Sequence, residues 1–80
     1  MSIYEEHRQK IVQRMSFALK ETKELRDLKT IEYEATEEGD EILQFVFHNG
    51  MIFRADITGE SDLKMIQHII QRVSALEGLK

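Results

Sequence analysis

The sequence predicts an α+β domain in the order helix, three-stranded antiparallel meander, helix (αβββα), with both helices on one face of the sheet. Three observations carry that expectation. Apolar residues recur at helical spacing towards both ends of the chain, side chains alternate with a period of two through the middle, and Asn49-Gly50 sits between two apolar runs as a hairpin signal.

Ser2-Ile3-Tyr4-Glu5 has the form of a capping box, so a helix is expected to begin almost at the N-terminus. On a helical wheel Tyr4, His7, Ile11, Met15, Ala18, Thr22 and Leu25 share one stripe, with Val12 and Leu19 beside it. No Pro or Gly interrupts the pattern before Lys29. A helix of about 25 residues would then span about 38 Å, whereas strands of about seven residues span only about 23 Å. Unless the helix bends near Ser16, its first turns overhang the sheet. Tyr4, His7 and Ile11 would be the apolar part of that overhang, and the spacing predicts a homodimer formed through them.

Residues 30 to 36, TIEYEAT, place Ile31, Tyr33 and Ala35 on one face of a strand and Glu32 and Glu34 on the other. EEGDE at 37 to 41 reads as a turn, and ILQFVFH and MIFRADI as the next two strands. The phase of the hairpin between them decides the core. A two-residue Asn49-Gly50 loop would put Phe45 and Phe53 on opposite faces. A three-residue loop of His48, Asn49 and Gly50, a type I turn closed by a left-handed glycine bulge, sets Phe47 opposite Met51, Phe45 opposite Phe53 and Leu43 opposite Ala55. Burying each large apolar residue gains about 1.5 to 3 kcal/mol, so the three-residue loop is expected. Residues 58 to 62, TGESD, then break the chain before a second helix with apolar positions Leu63, Ile66, Ile69, Ile70, Val73 and Leu76, Met65 at the flank, and a Gly78 cap with Leu79 folded back.

Eighty residues make a single small domain, covering residues 1 to 80, of modest expected stability. Hydrophobic residues at 41% and charged residues at 32% place it with soluble globular domains. Without Cys, disulfides and thiolate chemistry are excluded, and with no apolar run of membrane length and no basic start followed by an apolar stretch, a cytoplasmic protein away from membranes is expected.

The net charge of −4 is unevenly spread. Residues 1 to 29 and 63 to 80 each sum to +2 (seven bases against five acids, three against one). Residues 30 to 62 hold nine acids against Arg54 alone, a sum of −8. Acids along an exposed strand keep sheets from aggregating, and they also suit a basic partner. With the three-residue loop, Ile42, Val46 and Ile52 point away from the helices, surrounded by Glu32, Glu34, Gln44 and Arg54. A small apolar patch with a charged rim is the form of an interface. Glu32, Glu34, Ile42, Val46, Ile52 and Arg54 are therefore the candidate partner-binding residues.

Catalysis finds no motif. His7, His48 and His68 lie on separate elements without paired metal-ligand spacing, EEGDE lacks the ligand alternation of a calcium loop, no serine sits in a nucleophile elbow, and the four glycines occur singly. No enzyme, metal or cofactor is expected. The element order occurs in unrelated small folds, double-stranded RNA-binding domains among them, but GESDLKMIQ has Lys64 as its only base where those domains cluster lysines. Small anti-restriction and anti-CRISPR proteins of phages also combine such an order with acidic surfaces, an analogy of shape and charge that suggests phage or prophage origin and names no family. A protein-binding or assembly module, acting as a regulator or inhibitor through an acidic sheet surface on an unidentified, basic protein partner, is the leading expectation. The alternative is nucleic-acid binding through Arg8, Lys10, Arg14, Lys20, Lys23, Arg26 and Lys29 of the first helical segment, although Glu5, Glu6, Glu21, Glu24 and Asp27 intersperse with them.

Overall fold

The computed structural model describes residues 2–78 and has the expected αβββα order: α1 (Ile3–Lys20), β1 (Leu28–Ala35), β2 (Glu41–Phe47), β3 (Ile52–Asp56) and α2 (Asp62–Gly78), with one 3-10 turn at Lys23–Leu25. The strands form one antiparallel sheet in the order β1-β2-β3. Gly78, expected as a cap beyond the second helix, is instead the last residue of α2, and Leu79, expected to fold back beside it, lies outside the described residues.

The capping box forms: Ser2 Oγ accepts from the Glu5 amide at 3.1 Å, and the Glu5 carboxylate accepts from the Ser2 amide at 3.4 Å. The helix is shorter than its sequence suggests. It ends at Lys20 because the amide and hydroxyl of Thr22 both donate to the Leu19 carbonyl, at 3.0 and 2.7 Å, while Thr22 itself turns to extended backbone. Eighteen residues span about 27 Å, close to the roughly 26 Å of the eight-residue β1. The expected overhang, and with it the ground for a dimer through Tyr4, His7 and Ile11, disappears. The helix also runs unbroken through Ser16.

Its buried face is Arg8, Val12 and Ser16, with Ile11, Met15 and Leu19 partly buried beside them. The centre of that face is rotated roughly 100° from the apolar stripe of the wheel, because two of the three residues that form it are polar and have partners waiting in the sheet. In α2 the buried residues are Met65, Ile69 and Val73, while Leu63 at 66% and Ile70 at 47% exposure, expected in the core, face outward. Both helices contribute to one core with Leu28, Ile31, Tyr33, Leu43, Phe45, Phe47, Ala55 and Ile57.

The hairpin has the three-residue loop. Phe47 donates to Met51 O at 2.9 Å, Gly50 donates to Phe47 O at 3.0 Å, and Gly50 takes φ +90°, a conformation costly for any side-chain-bearing residue. Phe45 pairs with Phe53 and Leu43 with Ala55, as the apolar phase required. Met51 departs from expectation: it is 49% exposed, since the loop carries it beyond the rest of the core, and Phe53 is only partly buried, edge-on to Phe47 at 5.8 Å. β1 starts at Leu28, earlier than the alternation suggested, because a bulge between Leu28 and Thr30 shifts the phase and keeps Leu28 on the core side opposite Phe47.

Candidate functional site

Every second residue of the sheet faces away from the helices, and the register arranges these in three rows. Thr30, Val46 and Ile52 form one, Glu32, Gln44 and Arg54 the next, and Glu34, Ile42 and Asp56 the third. All six predicted partner-binding residues, Glu32, Glu34, Ile42, Val46, Ile52 and Arg54, therefore share one face. Ile52 is 53% exposed, Val46 and Ile42 are half-buried between the flanking strands, and Glu32, Glu34 and Arg54 are exposed.

The face is polarised along its strands. Its first row is apolar apart from Thr30, whose hydroxyl reaches round the sheet edge to within 3.4 Å of Ser16 Oγ of α1, and its last row, with Glu34 and Asp56, continues into the turn that carries exposed Glu37, Glu38 and Asp40. The turn is closed by Thr36, whose amide donates to Asp40 O at 2.8 Å and whose hydroxyl accepts from the Asp40 amide at 3.0 Å. Asp56 is held below the usual carboxylate range, first by the Thr58 hydroxyl and then by the Thr58 amide, which donates to Oδ1 at 2.9 Å. It stays ionised.

The acidity of this surface is smaller than the sequence sum, because three of the nine acids have other work. Glu41, read from sequence as part of the acidic turn, is buried at 7% exposure on the core side of β2. Its Oε2 accepts from Arg8 Nε at 3.1 Å and from the Tyr33 hydroxyl at 2.6 Å, and its Oε1 accepts from the Gly59 amide at 3.3 Å and the Tyr4 hydroxyl at 3.4 Å. Asp62 Oδ1 accepts from Arg8 Nη1 at 3.1 Å, while its Oδ2 lies 3.0 Å from His7 Nε2. Glu60 pairs with His68 at 3.2 Å. Removing these three leaves six acids against Arg54, a sum of −5 spread over the outer face and its adjoining turn.

The cluster around Arg8 ties the start of α1, the start of β2 and the start of α2 into one unit, with the Tyr4 ring 5.2 Å from the guanidinium. Burial alone would raise the Glu41 pKa, but the Tyr33 and Arg8 hydrogen bonds outweigh it and hold the carboxyl below its usual range. Asp62 is lowered first by its bond to Arg8. Tyr33 is pushed well above the usual phenol range by burial and then by Glu41. A carboxylate whose lone pairs are so occupied is a weak base, which makes the cluster a clamp between elements.

Sequence reasoning did not find this clamp, although it singled out two residues that border it. Of the predicted self-association residues, Tyr4 and His7 are bound to Glu41 and Asp62 at the rim of the cluster, and Ile11 is partly buried against the core. Of the basic residues of the first helical segment, Arg8 is fully buried, whereas Lys10 and Arg14 are exposed, and Lys20 lies 5.4 Å from the ring of exposed Phe17. Among the described residues no group of three His, Asp or Glu side chains could hold a metal ion, and no helix is long and apolar enough to cross a membrane. No protein-family model matches the chain, and neither the curated proteins nor the solved structures compared with it include a match.

Proposed function

We propose that this chain is a non-enzymatic protein-binding module, a regulator or inhibitor whose outer sheet face docks a basic protein partner. The observation that carries the reading is the juxtaposition, on one face, of the Val46 and Ile52 pair with Glu32, Glu34 and the acidic turn. The apolar row supplies area to bury at the centre of a contact, and the acids set orientation and speed encounter with a cationic surface. None of the side chains involved is needed for the core, so the fold leaves this face available for binding.

Affinity capture on the intact chain after nuclease treatment, followed by mass spectrometry, tests the reading. Val46→Thr with Ile52→Thr keeps β-branched residues in the strands and removes apolar contact, and is expected to weaken the captured complex tenfold or more, roughly the loss of one interface hot spot. Capture of the same partner at undiminished affinity by this double variant would overturn it. The second reading, nucleic-acid binding, rests on exposed Lys10 and Arg14 one turn apart with exposed Phe17 beside them. It predicts instead a complex that is lost to nuclease and weakens steeply with salt.

A further inference from the structure

We propose that two copies of this chain pair antiparallel through β3, about a two-fold axis at Ala55, joining two three-stranded sheets into one of six strands. The two edges of the sheet are treated differently. At β1 the outward amide of Ile31 donates to Ser16 Oγ at 2.9 Å, so α1 covers that edge at its middle. At β3, the other end of the strand order, no further strand pairs among the described residues.

The ladder says which groups are open there. Phe47 donates to Met51 O and Ile57 donates to Glu41 O, so the odd-numbered residues of β3 bond to β2. By the alternation of an antiparallel ladder, the amides and carbonyls of Ile52, Arg54 and Asp56 then point away from the sheet. A second strand in phase with these groups has three registers that set charged residues opposite one another. One sets Arg54 opposite Arg54, another sets Asp56 opposite Asp56, and the third sets Arg54 opposite Asp56 twice over. Only the third is complementary in charge, and its axis falls at Ala55. It makes about four main-chain hydrogen bonds and two cross-strand ion pairs on the outer face, and brings Ile52, 53% exposed, opposite Thr58. Edge strands that are to stay single carry like charges or unmatched lysines. β3 carries one charge of each sign two residues apart, which is self-complementary when the strand meets itself reversed.

The inference does not depend on the docking reading, though pairing would make the outer faces of the two copies one continuous surface. Sedimentation equilibrium of the full chain is expected to give an average mass that rises from one chain towards two as concentration increases through the range on the order of 100 μM. Arg54→Glu alone sets carboxylates opposite each other, and Asp56→Arg alone sets guanidinium groups opposite each other, so each is expected to weaken the dimer roughly tenfold or more. An equimolar mixture of the two variants restores opposite charges at both pairs and is expected to recover the dimer mass. Amide exchange in the unsubstituted chain provides a readout that needs no variant: exchange at Arg54 and Asp56 slows as concentration rises. A single-chain mass at these concentrations, a dimer indifferent to both single variants, a mixture that stays monomeric, or exchange at Arg54 and Asp56 independent of concentration would each overturn the proposal.

Discussion

Arg8 and Glu41, separated by 33 residues in sequence, meet inside the core, Nε to Oε2 at 3.1 Å, with the arginine fully buried. Taking two charges out of water costs more than their attraction returns unless the remaining hydrogen-bonding positions are filled, and here Tyr33, Gly59 and Asp62 fill most of them. Arg8→Met strands Glu41 without its cation and is expected to cost about 3 to 5 kcal/mol in denaturant unfolding. Against a typical total of about 5 to 15 kcal/mol, that is a large share. Arg8→Met with Glu41→Leu is expected to recover most of the loss, since no buried charge remains. A single variant within about 1 kcal/mol of the parent would mean that the pair is open to water.

The same cluster gives stability a pH window. Glu41 and Asp62 have carboxyls lowered in the folded state, so their contribution is complete above the ordinary carboxylate range of about 4 and is lost as pH falls below it. Tyr33 is raised, so its contribution is complete below about 10, the ordinary phenol value, and is lost as pH rises beyond it. Denaturation midpoints against pH should therefore show a plateau bounded on both sides. Tyr33→Phe should flatten the alkaline limb and Glu41→Gln the acid limb, each with a lower plateau. A parent profile that stays flat from pH 3 to pH 5 would contradict the assignment of ionised Glu41 to the core.

Ser16 acts on the edge of the sheet through its hydroxyl, which accepts from Ile31 N–H at 2.9 Å and lies 3.4 Å from Thr30 Oγ1. Ser16→Ala leaves that amide buried without an acceptor, a loss of about 1 to 3 kcal/mol. Hydrogen exchange localises the effect: the Ile31 amide should exchange faster relative to its neighbours, whereas a general destabilisation would raise all of β1 together.

Phe45 and Val46 are adjacent in β2 and face opposite ways, Phe45 with 0% exposure and Val46 half-buried on the outer face. Phe45→Ala is expected to cost about 3 to 5 kcal/mol, and Val46→Ala much less. Equal losses in thermal or denaturant unfolding would mean that the outer face is covered as well.

The sequence by itself determined the order of elements and the phase of the sheet. Those are local: a capping box within four residues, an alternation of two, and an Asn-Gly turn whose loop length must put Phe45 and Phe53 on one side. The same phase placed Glu32, Glu34, Ile42, Val46, Ile52 and Arg54 on the opposite side, which is where they stand. What only the tertiary structure decided is how the helices are set on that sheet. An apolar wheel places the face of α1 along Tyr4, His7 and Ile11, but Arg8 and Ser16 turn it, because a buried guanidinium and a buried hydroxyl gain their partners, Glu41, Asp62 and Ile31, from segments distant in sequence. The end of α1 at Lys20 was hidden for a related reason: a Thr hydroxyl bonding back to a carbonyl stops a helix without the Gly or Pro that would have marked it. Glu41 belonged to the turn by composition and to the core by pairing. Composition is read along the chain, and burial is settled by which residues meet across it.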